Sequence, residues 1–202
     1  MALQILPKPE AAIDLVGGRL ARMAASHRFL TPKLSKAEAT SLAISTWLPS
    51  HLLLMRRLPT ADSLQACCRE CGWTFLVHSA NEVVAIVEAR CGNPNEQSFG
   101  PVREGPCVDG LVAAITRAEE LSQSDGTLYQ PALLFAAPLN LRALWLRHAG
   151  GADWIIPFPP LMQPTPVMPL EPLRSDAFVA ALRSMLPICL ETSIEAGRIP
   201  SR

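Results

Sequence analysis

Long hydrophobic runs are missing from this chain. The longest, such as Leu52–Met55 and Leu133–Pro138, fall far short of the roughly 18 apolar residues a spanning helix needs, so no membrane span is expected. The first residues show no basic start followed by an apolar stretch, so a secretory leader is not expected and a cytoplasmic location is. Six cysteines in that setting read as reduced thiols, not as a disulfide framework. Lysine is scarce, three of 18 basic residues, and aromatic residues make up only 5%. With a net charge of zero besides, nucleic acid is a disfavoured partner.

The usual grammar of catalysis is also thin. No G-x-S-x-G elbow occurs. Gly100, Gly105 and Gly110 are too widely spaced to cradle a phosphate as a G-x-G-x-x-G or Walker A loop does. The histidines His27, His51, His78 and His148 form no i, i+4 pair, and Cys68-x-x-Cys71 has no second C-x-x-C to complete a zinc site. No metal and no cofactor is expected.

What the chain does have is apolar material. Its 202 residues are 49% apolar and 18% charged with a mean hydropathy of +0.21, which excludes a disordered chain and leaves surplus for a covered surface. Charge is segregated: residues 1–57 carry eight basic and three acidic side chains, residues 60–125 four arginines and ten acids.

Periodicity suggests a helix over residues 9–28, weakened at Gly17-Gly18. A capping box, Ser35 with Glu38, opens a second helix to about Trp47. An apolar helical turn over His51–Leu58 follows, then a helix from Thr60 to Cys71 that leaves through Gly72. Trp73–Ser79 and Glu82–Arg90 read as a hairpin about Ala80-Asn81, and Gly92–Pro106 as a long polar loop. A helix from Cys107 or Asp109 to about Ser122 leads to strands over Ala132–Ala137, Leu141–His148 and Trp154–Phe158. A proline-rich strap, 157–172, joins the last strand to a helix from Ser175, with a kink expected at Pro187.

The fold class that follows is α+β: a mostly antiparallel sheet of four to five strands packed against helices, with an N-terminal helical segment. The division is 1–58, helical, and 59–202, α+β, with one continuous domain 1–202 as the alternative.

The function this suggests is a non-enzymatic protein–protein interaction factor: an adaptor, chaperone-like or inhibitor protein. Another protein is the expected partner, and self-association is compatible with the composition. The contact residues expected are Trp145, Trp154 and Phe158 with the proline strap, and Arg19, Arg22, Arg56 and Arg57 on the basic segment. The alternative is a small cysteine-dependent hydrolase or transferase. It would use Cys107, near a helix N-terminus that favours a thiolate, with His78 or His148 as base.

Overall fold

A computed structural model describes residues 3–4, 6–29, 31–93, 96–161 and 165–196. Among these residues the fold is α+β, with one large sheet and four α-helices, one of them near the N-terminus. Strands β1 (Leu42–Leu53), β2 (Cys68–Ser79), β3 (Glu82–Asn93) and β4 (Glu96–Arg103) form one antiparallel meander. Strands β5 (Gln130–Ala136), β6 (Leu141–Arg147), β7 (Trp154–Phe158) and the two-residue β8 (Leu173–Arg174) form another. They join edge to edge in the order β4-β3-β2-β1-β5-β6-β7-β8. The sheet therefore has eight strands and is mixed, where four to five were expected.

The junction, β1 with β5, is the parallel pair. Neighbours within each meander are antiparallel, by tight turns at β2–β3 and β3–β4, whereas β1 and β5 are separated in the chain by β2–β4 and helix α3 (Pro106–Asp125), so no turn constrains their relative direction. The ladder is short: Ser50, His51 and Leu52 pair with Leu133, Leu134 and Phe135. Pro49 and Pro131 stand just before it, and neither has an N–H to extend it.

Most of the excess strand comes from segments read as helix or loop. The helix expected to run to Trp47 is replaced by 3-10 turns at Leu34–Lys36 and Ala39–Ser41, followed by β1. The Ser35–Glu38 box does not form; the Ser35 hydroxyl donates to Pro32 O at 3.1 Å. His51–Leu58 is the end of β1 and a 3-10 turn, Met55–Arg57. The helix ending at Cys71 shrinks to α2 (Leu64–Cys67), whose Ala66 N–H donates to Ser63 Oγ at 3.3 Å. Gly72 lies inside β2 with φ +135°, where an added Cβ would stand 2.0 Å from Ala89 O. The expected polar loop after Gly92 is largely β4. In each case local helical or turn signals yield to pairing with a neighbouring strand, whose apolar cross-strand contacts outweigh propensities of under 1 kcal/mol per residue.

Other expectations match. Helix α1 (Glu10–Ala25) runs through Gly17-Gly18 unbroken and buries Ala12, Val16, Leu20 and Ala24. The hairpin turns at Ala80, with Ser79 opposite Glu82. Helix α3 stops at Gly126, φ +68°, and α4 (Ser175–Ala196) starts at Ser175. The side chain at Pro187 and residues 162–164 of the strap lie outside the described ones. Among the described residues no helix is long and apolar enough to cross a membrane.

Three cores follow from the two sheet faces. Helix α3 covers one face through Leu48, Leu76, Ile86, Leu144 and Ile156. On the other, α1 packs on β2 and β3 through Phe75, Val77 and Val87, while α2 and α4 pack on β5–β7 through Leu134, Trp145 and Ile155. Gly110 lets α3 approach the chain after β7: a Cβ there would lie 2.5 Å from Pro159 O, a backbone atom that cannot swing away. Gly110→Ala should therefore lose stability by about 1–3 kcal/mol in urea denaturation, overriding the gain of about 1 kcal/mol in helix propensity. Equal or greater stability would show the approach to be looser.

His51 is buried between the meanders, 4% exposed, with its ring edge-on to Trp145 at 5.2 Å and Nε2 without a hydrogen-bond partner. Burial, reinforced by the Arg147 cation, pushes its pKa down from 6.5 to about 4. The group is neutral in both states above pH 6.5. Below that the unfolded chain takes up the proton first, so stability falls as pH drops towards 4, by at most about 3 kcal/mol. His51→Phe is expected to flatten this slope in denaturation curves measured from pH 7 to pH 4, and an unchanged slope would assign it to other groups.

Candidate functional site

Helix α3 leaves part of its sheet face uncovered, and that part is unlike the rest. Side chains alternate across a strand, so the face that offers Leu76, Ile86 and Leu144 to α3 continues along the same strands as Thr74, Glu88 and Arg142. The result is a concave basin of about 510 Å3 spanning β1–β6. Its lining includes Ser50 and Leu52 of β1, Leu133 and Phe135 of β5, and four arginines, Arg69, Arg90, Arg103 and Arg142. Glu88 is the one carboxylate among the described residues that line it.

The arginines are not equivalent. Glu88 holds two of them, accepting from Arg103 Nε at 3.3 Å on one oxygen and from an Arg90 terminal nitrogen at 3.5 Å on the other. Arg69 is exposed at the rim, without a carboxylate among the described residues. Arg142 is 6% exposed. It stands opposite Phe135 in the β5–β6 register, with its guanidinium 4.8 Å from the centre of that ring. Among the described residues it makes no hydrogen bond and no ion pair. Its nitrogens are not among the fully buried unpartnered atoms, so the guanidinium keeps some edge open to the basin while the ring covers a face.

Polar floor groups accompany it. Ser50 Oγ and Thr74 Oγ1, both buried, lie 2.7 Å apart. Cys71 and Cys91 also line the basin, and the Cys71 thiol donates to Ser50 O at 3.3 Å. Burial raises the pKa of both thiols, so both are neutral at pH 7.

No protein-family model, no curated protein and no solved structure gives a significant match to this chain.

The expected catalytic group does not assemble. Cys107 opens α3 as expected, but its side chain is 7% exposed within the core beneath the helix. Burial raises its thiol pKa, against the opposing pull of Arg142 and Arg103 at the edge of the basin. No hydrogen bond joins it to His78 or His148 among the described residues. His78 lies on β2 opposite Val83, and the His148 ring stands 5.9 Å from Tyr129 at the β6–β7 turn. The cluster of three cysteines disperses too. Cys67 packs in the core and donates to Ser63 O at 3.5 Å, and the thiol pKa of Cys68 is pushed up to about 12 by burial.

The expected contact residues separate as well. Trp145 and Phe158 are fully buried and present no surface to a partner, because β6 and β7 lie inside the sheet with helices on both faces. Trp145 Nε1 instead donates to Asp153 Oδ2 at 2.8 Å. Trp154 is half-buried, donating to the Tyr129 hydroxyl at 3.1 Å beneath the Arg174 guanidinium. Arg19 and Arg22 are exposed on α1, and Arg56 and Arg57 on the turn after β1; none of them lines the basin.

None of the four basin arginines stands out in the sequence. Three lie in the stretch with the most acids, and the feature that gathers them is strand register, which composition does not reveal.

The buried thiol makes a direct prediction. With iodoacetamide at neutral pH, read by mass spectrometry, Cys107 should label more slowly than the half-exposed Cys91. Selective labelling of Cys107 would revive the thiol chemistry.

Proposed function

We propose that this protein is a non-enzymatic interaction factor, of the adaptor, chaperone-like or inhibitor kind, that receives an acidic segment of another protein in the arginine basin. The observation that carries this reading is the uncompensated charge: four guanidinium groups and one carboxylate around one cavity, with Arg142 almost fully covered and unpaired. Charge of one sign in a low-dielectric concavity attracts and orients an opposite charge. The lining is also apolar at Leu52, Leu133 and Phe135, so the segment that fits carries carboxylates next to aliphatic or aromatic side chains.

A protein segment suits the basin better than a nucleic acid strand. Single strands are held by exposed aromatic faces on which bases stack, and the Phe135 ring is occupied by Arg142. The thiols that line the cavity are held neutral by burial, which favours a binding role over nucleophilic attack.

The test is fluorescence polarisation with a labelled peptide alternating Glu and Leu, at low and at physiological salt. Binding should weaken with salt, and the double variant Arg69→Ala/Arg90→Ala should weaken it about tenfold, since two exposed charges contribute on the order of 1.4 kcal/mol together. The reading fails if the folded wild-type protein does not bind the peptide, or if the double variant binds it equally well.

A further inference from the structure

We infer that the floor of the basin is a site for the dianionic head of a phosphate monoester, with Arg142 as the fork that grips it. This rests on the basin being the place where the protein takes its ligand, and adds which chemical group enters.

Three features select phosphate over carboxylate. The first is the count of unmatched charges. Glu88 satisfies Arg103 and Arg90, which leaves Arg69 and Arg142 without a carboxylate among the described residues. Because Glu88 carries a single charge, the four guanidinium groups keep a surplus of three positive charges, which a group of −1.5 to −2 at neutral pH matches better than the single charge of one carboxylate.

The second is donor supply. Arg142 carries five N–H donors in a planar fork, and among the described residues none has an acceptor. The Phe135 ring covers a face of the guanidinium and leaves its edge to bind in plane. Elsewhere in the same basin, on β1 and β2 beyond β5, Ser50 and Thr74 have two hydroxyl hydrogens between them, and their mutual bond uses one. The other is a donor at the floor. The fork supplies paired in-plane hydrogen bonds to the terminal oxygens of a phosphoryl group, and the hydroxyl adds a neutral donor to the same basin.

The third is shape. Arg142 is 6% exposed, so its partner must reach down into the cavity on a stem, and Leu52 and Leu133 line the route with apolar surface. The fitting ligand is thus a monoester of an apolar or aromatic alcohol, either a phosphorylated side chain of a partner protein or a free small ester.

Isothermal titration of the full chain tests this. The probes are phenyl phosphate, benzoate, inorganic phosphate, and a phosphotyrosyl peptide beside its unphosphorylated form. Phenyl phosphate should bind at least tenfold more tightly than benzoate and inorganic phosphate, and more tightly as pH rises through about 6, where the second phosphate proton leaves. Arg142→Met should weaken phenyl phosphate at least tenfold. Arg142→Lys keeps a cation over Phe135 but has no fork, so it should fall between the two, and it carries the test if the Met variant does not fold. A phosphotyrosyl peptide tighter than phenyl phosphate assigns the group to a partner protein; a weaker one assigns it to a small ester. The inference is overturned if benzoate binds as well as phenyl phosphate, or if Arg142→Lys binds phenyl phosphate as the wild type does. If the Glu-Leu peptide still binds in a manner sensitive to Arg69 and Arg90, the acidic-segment reading survives that failure. If neither class of ligand binds, both fall.

Discussion

Three residues on each of two strands, Ser50–Leu52 and Leu133–Phe135, hold the two meanders of this protein together in the sheet. Main-chain hydrogen bonds of so short a ladder contribute little net stability on their own, about 1 kcal/mol each. The seam persists because the residues in register there are committed on both faces. On one side His51 sets its ring against Trp145, and Leu134 enters the core under α4. On the other, Leu133 packs beneath α3, while Ser50, Leu52 and Phe135 line the basin. Shifting this register by one residue would exchange the two faces of β5, so it would disturb the core and the basin together.

The basin exists because cover and face differ in extent. Helix α3 spans 20 residues and packs chiefly on β6 and β7, with its first turn reaching towards β3. Among the described residues no helix covers the face beyond that turn. Elsewhere the sheet is shielded by α1 on one meander and by α2 and α4 on the other. The side chains on the open part are polar and charged, as they would be on a solvated face, with one difference. Arg142 is covered by neighbours without being neutralised, and a solvated face does not need that. The same arginines bear on Cys107, whose thiol stays protonated because burial outweighs their pull.

Several polar groups elsewhere are satisfied locally and serve the frame. Asp153 accepts from Trp145 Nε1 and from the His148 backbone N–H at 2.9 Å, which fixes the β6–β7 turn. Tyr129 donates to Asp125 Oδ2 at 2.6 Å while accepting from Trp154, which ties the end of α3 to β5 and β7. Glu104 accepts from the backbone N–H groups of Lys33 and Leu34 and pins the segment after α1 against the start of α3. Arg142 differs from these networks: among the described residues it has no acceptor, and it faces a cavity that a ligand could enter.

The sequence by itself determined the elements whose signal is local. The hairpin at Ala80-Asn81, α3 with its Gly126 stop, strands β5–β7 and the start of α4 are legible because a turn residue or a helical stripe is written within a few positions. The α+β class followed from them. It did not determine β1, where Ser35, Glu38 and an apolar period imitate a helix and only pairing along β2 decides otherwise. Nor did it determine β4, or the bulged glycine Gly72. The candidate site was least legible of all. Arg69, Arg90, Arg103 and Arg142 lie in separate strands; read in order, the first three merely dilute an acidic stretch and the fourth stands outside it. Strand register, a relation between residues distant in sequence, turns them towards one cavity, and only the tertiary structure contains it.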